Sequence, residues 1–183
     1  LWRNPETRST RSLLALGFEP DDALFVDSML ADQSASLRQK GRVLFDSRSR
    51  PEFGPVAERF NAGQVVESEV AGQRVRVSGL VELGPSFGAD GNLITSRETF
   101  RSLLPSTARG SIELGLIRLR DGADPDAVAE RLRAWLPNDV TVFSKKAFIE
   151  FEKNYWRSST AIGFIFSLGA AMGFVVGLSL IHI

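Results

Sequence analysis

The sequence predicts an α+β fold with a mixed sheet, followed by a transmembrane helix. Segments of alternating apolar and polar residues, typical of strands, recur along most of the chain. Patterns with helical spacing lie between them. The run Ala161–Ile183 then contains no Asp, Glu, Lys or Arg. At about 1.5 Å per residue, this run is long enough to cross a hydrocarbon core of about 30 Å. A buried core helix usually shows a polar stripe, which this run lacks.

Composition limits the classes of protein. The chain has 183 residues, of which 43% are hydrophobic and 24% charged, so a folded domain is expected rather than a disordered chain. Lys and Arg number 22, as do Asp and Glu, which gives zero net charge and argues against a nucleic-acid partner. The absence of cysteine excludes disulfides and thiolate zinc sites.

The first elements follow from apolar runs and the turn residues between them. Leu1–Arg3 and Ser12–Phe18 are predicted to pair as a hairpin, because turn-forming residues separate them. Val26–Lys40 is predicted to form an amphipathic helix that ends at Gly41. The short apolar run Val43–Phe45 is expected to be a buried strand.

A basic, turn-forming stretch follows at Asp46–Pro55. Two interpretations of this stretch remain open. It is either a recognition loop with an exposed Phe53, or a surface connection whose Phe53 packs into the core. The residues proposed for a partner-binding loop are Arg48, Arg50, Glu52 and Phe53.

The middle of the chain predicts a hairpin and a helix. Val65–Val70 and Arg74–Leu80 alternate apolar and polar residues, which indicates a hairpin with one solvated face. Gly84–Asn92 is glycine-rich, but it lacks the Gly-Lys-Ser/Thr ending of a phosphate-binding loop and is interpreted as a long turn. After a short strand, Leu93–Ile94, a capping box at Thr95–Glu98 opens a helix that reaches Leu104.

A strand–helix–strand pattern comes next. Ile112–Leu119 and Val140–Phe143 are predicted strands. Between them, Asp124 is expected to cap a helix through Leu136 whose apolar stripe consists of Val128, Leu132 and Trp135. This order of elements predicts a βαβ-like unit packed on one sheet.

Residues 145–160 contain neither Gly nor Pro and carry aromatic residues at helical spacing. They predict one continuous helix that enters the bilayer as a rod; the alternative is two helices with a kink near Ser158–Ser159. The residues expected at the junction of this helix with the membrane are Phe148, Phe151, Lys153, Tyr155, Trp156 and Arg157.

The expected organisation is an extracytoplasmic domain over residues 1–144, a helical stalk over 145–160 and a transmembrane helix over 161–177. Gly169, Gly173 and Gly177 recur every fourth residue and predict a face for helix packing. Residues 178–183, LSLIHI, match the translation of a sequencing adapter, and Leu1 begins inside a strand without an initiator Met. We therefore expect native sequence to end near Gly177.

Catalytic chemistry is not expected. The chain has one histidine, His182, which lies in the adapter-like segment, and it has no nucleophile elbow, metal-binding helix motif or nucleotide fingerprint. Only scattered carboxylates remain as candidates. The sequence therefore predicts no catalytic residue, no cofactor and no metal site.

Four stretches resemble the DevC-type permeases of the MacB/FtsX/LolC group of ABC transporters. They are LFDSRSRPEFGP at 44–55, LGPSFGADGN at 83–92, GLIRL at 115–119, and FIEFEKNYW with the following TAIGFIFSLG at 148–169. The resemblance covers nearly the whole chain up to Gly177. It implies a MacB-like periplasmic domain and the second of four transmembrane helices.

The resemblance also implies a function and a set of partners. Such a permease forms a homodimer in the bacterial inner membrane, binds a cytoplasmic ABC ATPase, and works with a membrane-fusion adaptor and an outer-membrane duct to export a lipid-like substrate such as a glycolipid. ATP hydrolysis then resides in the separate ATPase. Basic residues before the membrane helix would favour a cytoplasmic location by charge alone, but long domains translocate largely regardless of charge, so Leu1–Thr160 is expected in the periplasm.

Two other classes of function remain as alternatives. A membrane-anchored sensor or ligand-binding module would need a concave apolar pocket. A membrane-tethered enzyme would have to work with carboxylates alone.

Overall fold

The computed structural model describes residues 1–21, 33–86, 88–104, 114–158 and 161–182. Two compact units divide the chain, Leu1–Leu116 and Ile117–Ile183. The first unit is α+β and the second is helical in its described residues. The predicted α+β class with a terminal apolar helix is therefore confirmed.

The strands of the first unit are β1 Trp2–Arg3, β2 Thr10–Arg11, β3 Leu14–Phe18, β4 Arg42–Asp46, β5 Glu67–Val70, β6 Gln73–Val81 and β7 Asn92–Ser96. They form one mixed sheet in the order β2-β1-β5-β6-β4-β7-β3. Strand β4 lies near the centre of the sheet, parallel to β6 and antiparallel to β7, while β3 runs parallel to β7.

The sheet must be strongly curled. Its two edge strands, β2 and β3, are separated by only Ser12 and Leu13, so Arg11 and Leu14 are at most about 11 Å apart. A flat sheet of this many strands would place its edges about 29 Å apart. The predicted hairpin between Leu1–Arg3 and Ser12–Phe18 is therefore wrong, because β1 pairs instead with β2. The apolar run 14–18 crosses to the opposite edge, where β7 offers it a parallel partner.

The predicted hairpin in the middle of the chain is confirmed as β5 and β6. Its two-residue turn consists of Ala71 and Gly72, both at positive φ (49° and 77°). This conformation gives the turn the twist that suits a hairpin. Along β6, buried residues alternate with less buried ones.

The turn provides a prediction. Asparagine tolerates positive φ better than alanine, so Ala71→Asn is expected to raise the free energy of unfolding by about 0.5 kcal/mol. Denaturant unfolding followed by Trp2 fluorescence, in a Trp135→Phe/Trp156→Phe background, measures the effect. Ala62→Asn is the control, because Ala62 is exposed at a φ of −76°. Equal changes in the two variants would contradict the conformational argument.

The core of the first unit lies against β4. Trp2, Phe45 and Phe53 are almost fully buried and form an aromatic cluster, with ring centroids 5.0 Å apart for Trp2–Phe45 and 6.1 Å apart for Phe45–Phe53. The indole Nε1 of Trp2 donates to the carbonyl of Phe53 at 3.2 Å. The cluster therefore joins the first strand, the central strand and the loop that follows it.

Short helices complete the first unit. A 3₁₀ turn spans Ala35–Arg38 and buries Leu37, whereas the earlier part of the predicted helix Val26–Lys40, residues 26–32, lies outside the described residues. The remaining helical elements of the described part are a 3₁₀ turn Pro51–Phe53, α1 Val56–Asn61 and α2 Arg97–Leu103.

The predicted capping box Thr95–Glu98 is not formed, although α2 begins within it, at Arg97. Ser96 is the cap and its hydroxyl accepts from the backbone N–H of Thr99 at 3.3 Å, whereas Thr95 belongs to β7 and donates to the carbonyl of Arg42. Pairing of Thr95 with Val43 in the sheet outweighs the local capping preference.

The two strands predicted on either side of the next helix are not formed by the described residues. Residues 114–119 and Val140–Phe143 form no strand, and residues 112–113 lie outside the described residues. The helix between them, α3 Pro125–Trp135, is confirmed with its cap: Asp124 accepts from the N–H of Asp126 at 3.0 Å. Trp135 is 81% exposed and does not join the apolar stripe. The βαβ-like unit is therefore wrong for the described residues.

The chain ends in two helices, α4 Lys145–Ser158 and α5 Ala161–His182. Residues 159–160 between them lie outside the described residues. Helix α5 contains the single described segment that is long and apolar enough to cross a membrane, Gly163–His182.

Candidate functional site

Two surfaces hold the residues singled out by the sequence. The first, here called the loop surface, consists of residues 46–55, 84–86 and 88–92 in the first unit. The second, here called the junction, consists of α4 and α5 in the second unit. Each is described by itself.

The loop surface is organised around a buried carboxylate, Asp46, at the end of β4. One oxygen accepts from the backbone N–H groups of Arg48 and Leu83, both at 3.1 Å. The other accepts from the N–H of Gly84 at 2.9 Å and from the side-chain amide of Asn92 at 2.7 Å. Four donors therefore satisfy this carboxylate and hold the two loops together.

Charged side chains cover the outside of the same surface. The guanidinium of Arg50 lies 2.8 Å from the carboxylate of Asp90. Arg11 lies 3.5 Å from both Asp90 and Glu52, so it links β2 to the two loops. These groups are partly exposed, so each pair is worth at most about 1 kcal/mol, and the network chiefly fixes where the charges stand.

Phe53 is not exposed. It is fully buried in the aromatic cluster, so of the two interpretations the surface connection with a core Phe53 is correct. Arg48, Arg50 and Glu52 are exposed and remain available at the surface. Gly91 packs closely on this connection, since a Cβ on Gly91 would lie 3.0 Å from the Phe53 ring.

An open groove of about 760 Å³ runs beside the loop surface. Asn4 anchors one wall, because its amide donates to the carbonyl of Glu52 at 2.9 Å. The groove presents hydroxyl and charged groups together with apolar surface of similar extent. Its polar lining residues include Asn4, Thr7, Ser9, Thr10, Arg11, Glu52 and Asp90.

The described part of the chain shows no cluster of side chains arranged for catalysis or metal binding. There, no group of three or more His, Asp or Glu side chains is placed to hold a metal ion. The carboxylates of the loop surface are paired with arginines or with backbone N–H groups.

At the junction, α4 starts at a buried serine. The hydroxyl of Ser144 accepts from the N–H of Ala147 at 3.3 Å. The ring of Phe143 packs on Phe148 and Phe151, with centroids 6.0 and 5.1 Å apart. Even so, none of the fourteen residues of α4 is buried.

The other predicted junction residues lie near the end of α4. Lys153 forms an ion pair with Glu150 at 3.0 Å. The indole of Trp156 donates to Glu152 at 3.2 Å and its ring lies edge-on to Tyr155. Arg157 is exposed. The junction therefore carries aromatic and basic side chains within one helix.

Helix α5 is apolar on all sides. The segment from Gly163 to His182 has no buried share in the structure. Its serines bond within the helix, since the hydroxyl of Ser167 donates to the carbonyl of Gly163 at 2.8 Å. A Cβ placed on Gly169, Gly173 or Gly177 would meet no atom within 4 Å, so the three glycines leave a groove open along one face.

The two helices of the junction are not one straight rod. A Cβ on Gly163 would overlap the backbone carbonyl of Arg157, six residues earlier. In a straight helix, residues six apart are separated by about 9 Å along the axis. The described residues of α4 and α5 therefore do not share one straight axis. The predicted continuous rod and the alternative kink near Ser158–Ser159 both depend on residues 159–160, which lie outside the described residues.

Sequence reasoning missed several residues of the loop surface. In the sequence, Asp46 looks like an ordinary turn residue at the end of a buried strand. Three of the four groups that donate hydrogen bonds to it come from residues 83–92, which are distant in the chain. Arg11 and Asp90 are far apart in sequence and meet only because the sheet curls. No local pattern could have identified this network.

Comparison with known proteins identified no relative: no family model, curated protein or solved structure matches the chain.

Proposed function

We propose that the chain belongs to the permease subunit of an ABC exporter of the mechanotransmission type, similar to the DevC-type permeases. In this proposal the first unit is a MacB-like periplasmic domain and α5 is a transmembrane helix of the bacterial inner membrane. ATP is hydrolysed by a separate cytoplasmic subunit. Movement of the membrane helices is passed to the periplasmic domain, which drives export of a lipid-like substrate such as a glycolipid.

The observation that carries the proposal is the direct connection of two helices with different surfaces. Only residues 159–160 separate the amphipathic α4 from the apolar α5. A connection this short spans at most about 11 Å, so it transmits a displacement of α5 to α4 with little slack. The described bend means that this displacement also changes direction, which a straight rod would not do.

The surfaces match the partners that the proposal requires. The open glycine face of α5 suits close packing against another helix, either within the permease or in a second copy of it. The loop surface presents fixed charges, Arg50, Glu52 and Asp90, to a membrane-fusion adaptor that connects to an outer-membrane duct. Two of the stretches on which the resemblance rests, 44–55 and 83–92, meet in this surface through Asp46.

Insertion of two glycines after Lys153 in the full-length gene tests the coupling. The insertion moves the end of α4 by about 3 Å and rotates it by about 200° relative to its start. ATP-dependent export in cells is expected to be lost, while membrane insertion and assembly with the ATPase persist.

The matched control inserts two glycines after Gly122. This residue lies in an exposed turn at a φ of 80°, and a Cβ there would meet nothing within 4 Å. The control is expected to export normally. Unchanged export by the α4 insertion, with both variants assembled, would contradict mechanical coupling through α4.

The alternative of a sensor or ligand-binding module needs a concave apolar pocket. The groove of the first unit is open and has both polar and apolar walls. A mainly apolar hollow of about 470 Å³ lies in the second unit beside Pro125 and Ile149, but it is also open to solvent, so neither encloses a ligand.

A further inference from the structure

We infer that the open groove beside the loop surface binds a neutral, hydroxyl-rich group such as a sugar. Its volume of about 760 Å³ lies in the range of small-molecule sites, about 300–1,000 Å³. All of its lining residues belong to the first unit. The inference goes beyond the proposed function, which assigns no ligand to this unit.

The walls of the groove are held in place by the protein itself. The side-chain oxygen of the buried Asn4 accepts from the backbone N–H groups of Glu6 and Thr7 at 2.9 and 3.1 Å. Its amide nitrogen donates to the carbonyl of Glu52, on the opposite wall, at 2.9 Å. A ligand would therefore meet a preformed site, which lowers the entropic cost of binding.

Three charged groups at one end of the groove are spaced to accept hydroxyl groups. The guanidinium of Arg11 lies 3.5 Å from the carboxylates of both Glu52 and Asp90, longer than the roughly 2.7–3.2 Å of a good N–H···O bond. All three side chains are partly exposed. A ligand hydroxyl can accept from a guanidinium and donate to a carboxylate at the same time. Neighbouring hydroxyls of a sugar ring therefore match this arrangement.

The rest of the lining offers hydroxyl groups and apolar surface. The hydroxyl oxygens of Thr7 and Ser9 are 2.7 Å apart. Because only one proton serves that bond, the other hydroxyl proton is free to reach a ligand. Pro51 and Pro55 add apolar surface. A sugar ring has the same combination, with hydroxyls at its rim and C–H groups on its faces.

The charge of the lining favours a neutral ligand over an anionic one. One basic side chain, Arg11, and three acidic ones, Glu6, Glu52 and Asp90, give the lining side chains a net charge of −2. Arg50 is not in the lining and pairs with the other oxygen of Asp90, at 2.8 Å. A phosphate or sulfate group would therefore be repelled.

A sugar suits the groove better than an extended peptide. A peptide would gain affinity by pairing with a strand edge, but the strand in the lining, β2, has only two residues. An open groove also suits a sugar that remains attached to a larger molecule, because the rest of the ligand stays outside. The head of a glycolipid and a soluble oligosaccharide share this chemistry.

Binding to the full-length protein, without ATP, tests the inference. Native mass spectrometry measures binding of diglucosyldiacylglycerol and, as the anionic lipid, phosphatidylglycerol. Saturation-transfer NMR measures binding of maltose and maltose 1-phosphate. Each probe is compared in the wild type, in Glu52→Gln and in the matched control Glu58→Gln, whose carboxylate is exposed on α1 outside the groove.

Glu52→Gln is expected to weaken binding of a neutral sugar probe about tenfold, because a hydrogen bond to a charged group is lost. Glu58→Gln is expected to bind like the wild type. Binding of both neutral probes, or of the lipid or maltose alone, supports the inference and identifies the source of the sugar. Binding of neither neutral probe would overturn it, as would equal losses in the two variants or a similar dependence on Glu52 for the anionic probes.

The two-glycine insertion after Lys153 separates this inference from the proposed function. The insertion lies in the second unit and is expected to leave sugar binding unchanged. Normal export by this variant, together with sugar binding that depends on Glu52, would reject only the mechanical coupling. Loss of export by this variant, with no sugar binding in the wild type, would reject only the role of the groove.

Discussion

Replacement of Asp46 by alanine is expected to lower the free energy of unfolding of the first unit by at least about 3 kcal/mol. The carboxylate is fully buried and accepts four hydrogen bonds, three of them from backbone N–H groups. A buried donor left without an acceptor costs about 1–3 kcal/mol, although water that enters the cavity recovers part of this loss. Loops 46–55 and 84–92 would also lose the group that joins them.

Fluorescence of Trp2 measures the effect, because Trp2 is the one tryptophan of the first unit and is fully buried. Trp135 and Trp156 are replaced by phenylalanine in all variants. The control is Asp90→Ala, which removes a partly exposed carboxylate and its two ion pairs from the same surface and is expected to cost no more than about 2 kcal/mol. Similar losses for Asp46→Ala and Asp90→Ala would show that the buried network does not stabilise the loops.

Truncation of Phe53 to alanine is expected to cost about 3–5 kcal/mol, as for other buried aromatic residues. The side chain fills the space between Phe45 and Gly91, and its backbone carbonyl accepts from the indole of Trp2. The cavity would therefore open at the point where the loop surface meets the core.

Leu83→Ala serves as the comparison for Phe53→Ala. Leu83 is a large apolar residue of the same unit but is exposed, so its truncation is expected to change stability by less than about 1 kcal/mol. Thermal unfolding of both variants, with Trp2 as the probe, gives the two values. If Phe53→Ala left stability unchanged but abolished binding of a partner, Phe53 would be a recognition residue and its assignment to the core would be wrong.

The sequence correctly predicted the elements whose structure is determined by residues close together in the chain. The turn residues between Val70 and Arg74 set the hairpin, and Asp124 with Pro125 set the start of α3. The uncharged run after Thr160 predicted α5 from length and composition alone. In each case neighbouring residues in the chain determine the structure.

The sequence did not predict features that depend on contacts between residues far apart in the chain. Residues 14–18 have the pattern of a strand, but no local feature shows that their partner is β7 rather than β1. Val140–Phe143 has the same kind of pattern and finds no strand partner in the described part of the chain. Strand propensity shows that a segment is suited to a sheet, but a strand forms only where a partner strand is available for pairing.

The same distinction between local and long-range determinants applies to the candidate site. The aromatic and basic residues of α4 could be identified from their helical spacing, because both faces lie within one helix. The buried role of Asp46 and the contact between Arg157 and Gly163 depend on approach in three dimensions. An unbroken helical pattern does not by itself indicate the direction of the next helix.

The parallel pairing of β3 with β7 also sets the order in which the first unit can be completed. Leu14 leaves the ribosome early, but its hydrogen-bonding partner in the sheet, Asn92, is synthesised much later. Pairing over such a separation closes a long loop and is slow. If the chain is exported during synthesis, β3 therefore stays unpaired outside the membrane until β7, which ends at residue 96, has also been exported. The sheet could then close only on the far side of the translocation channel.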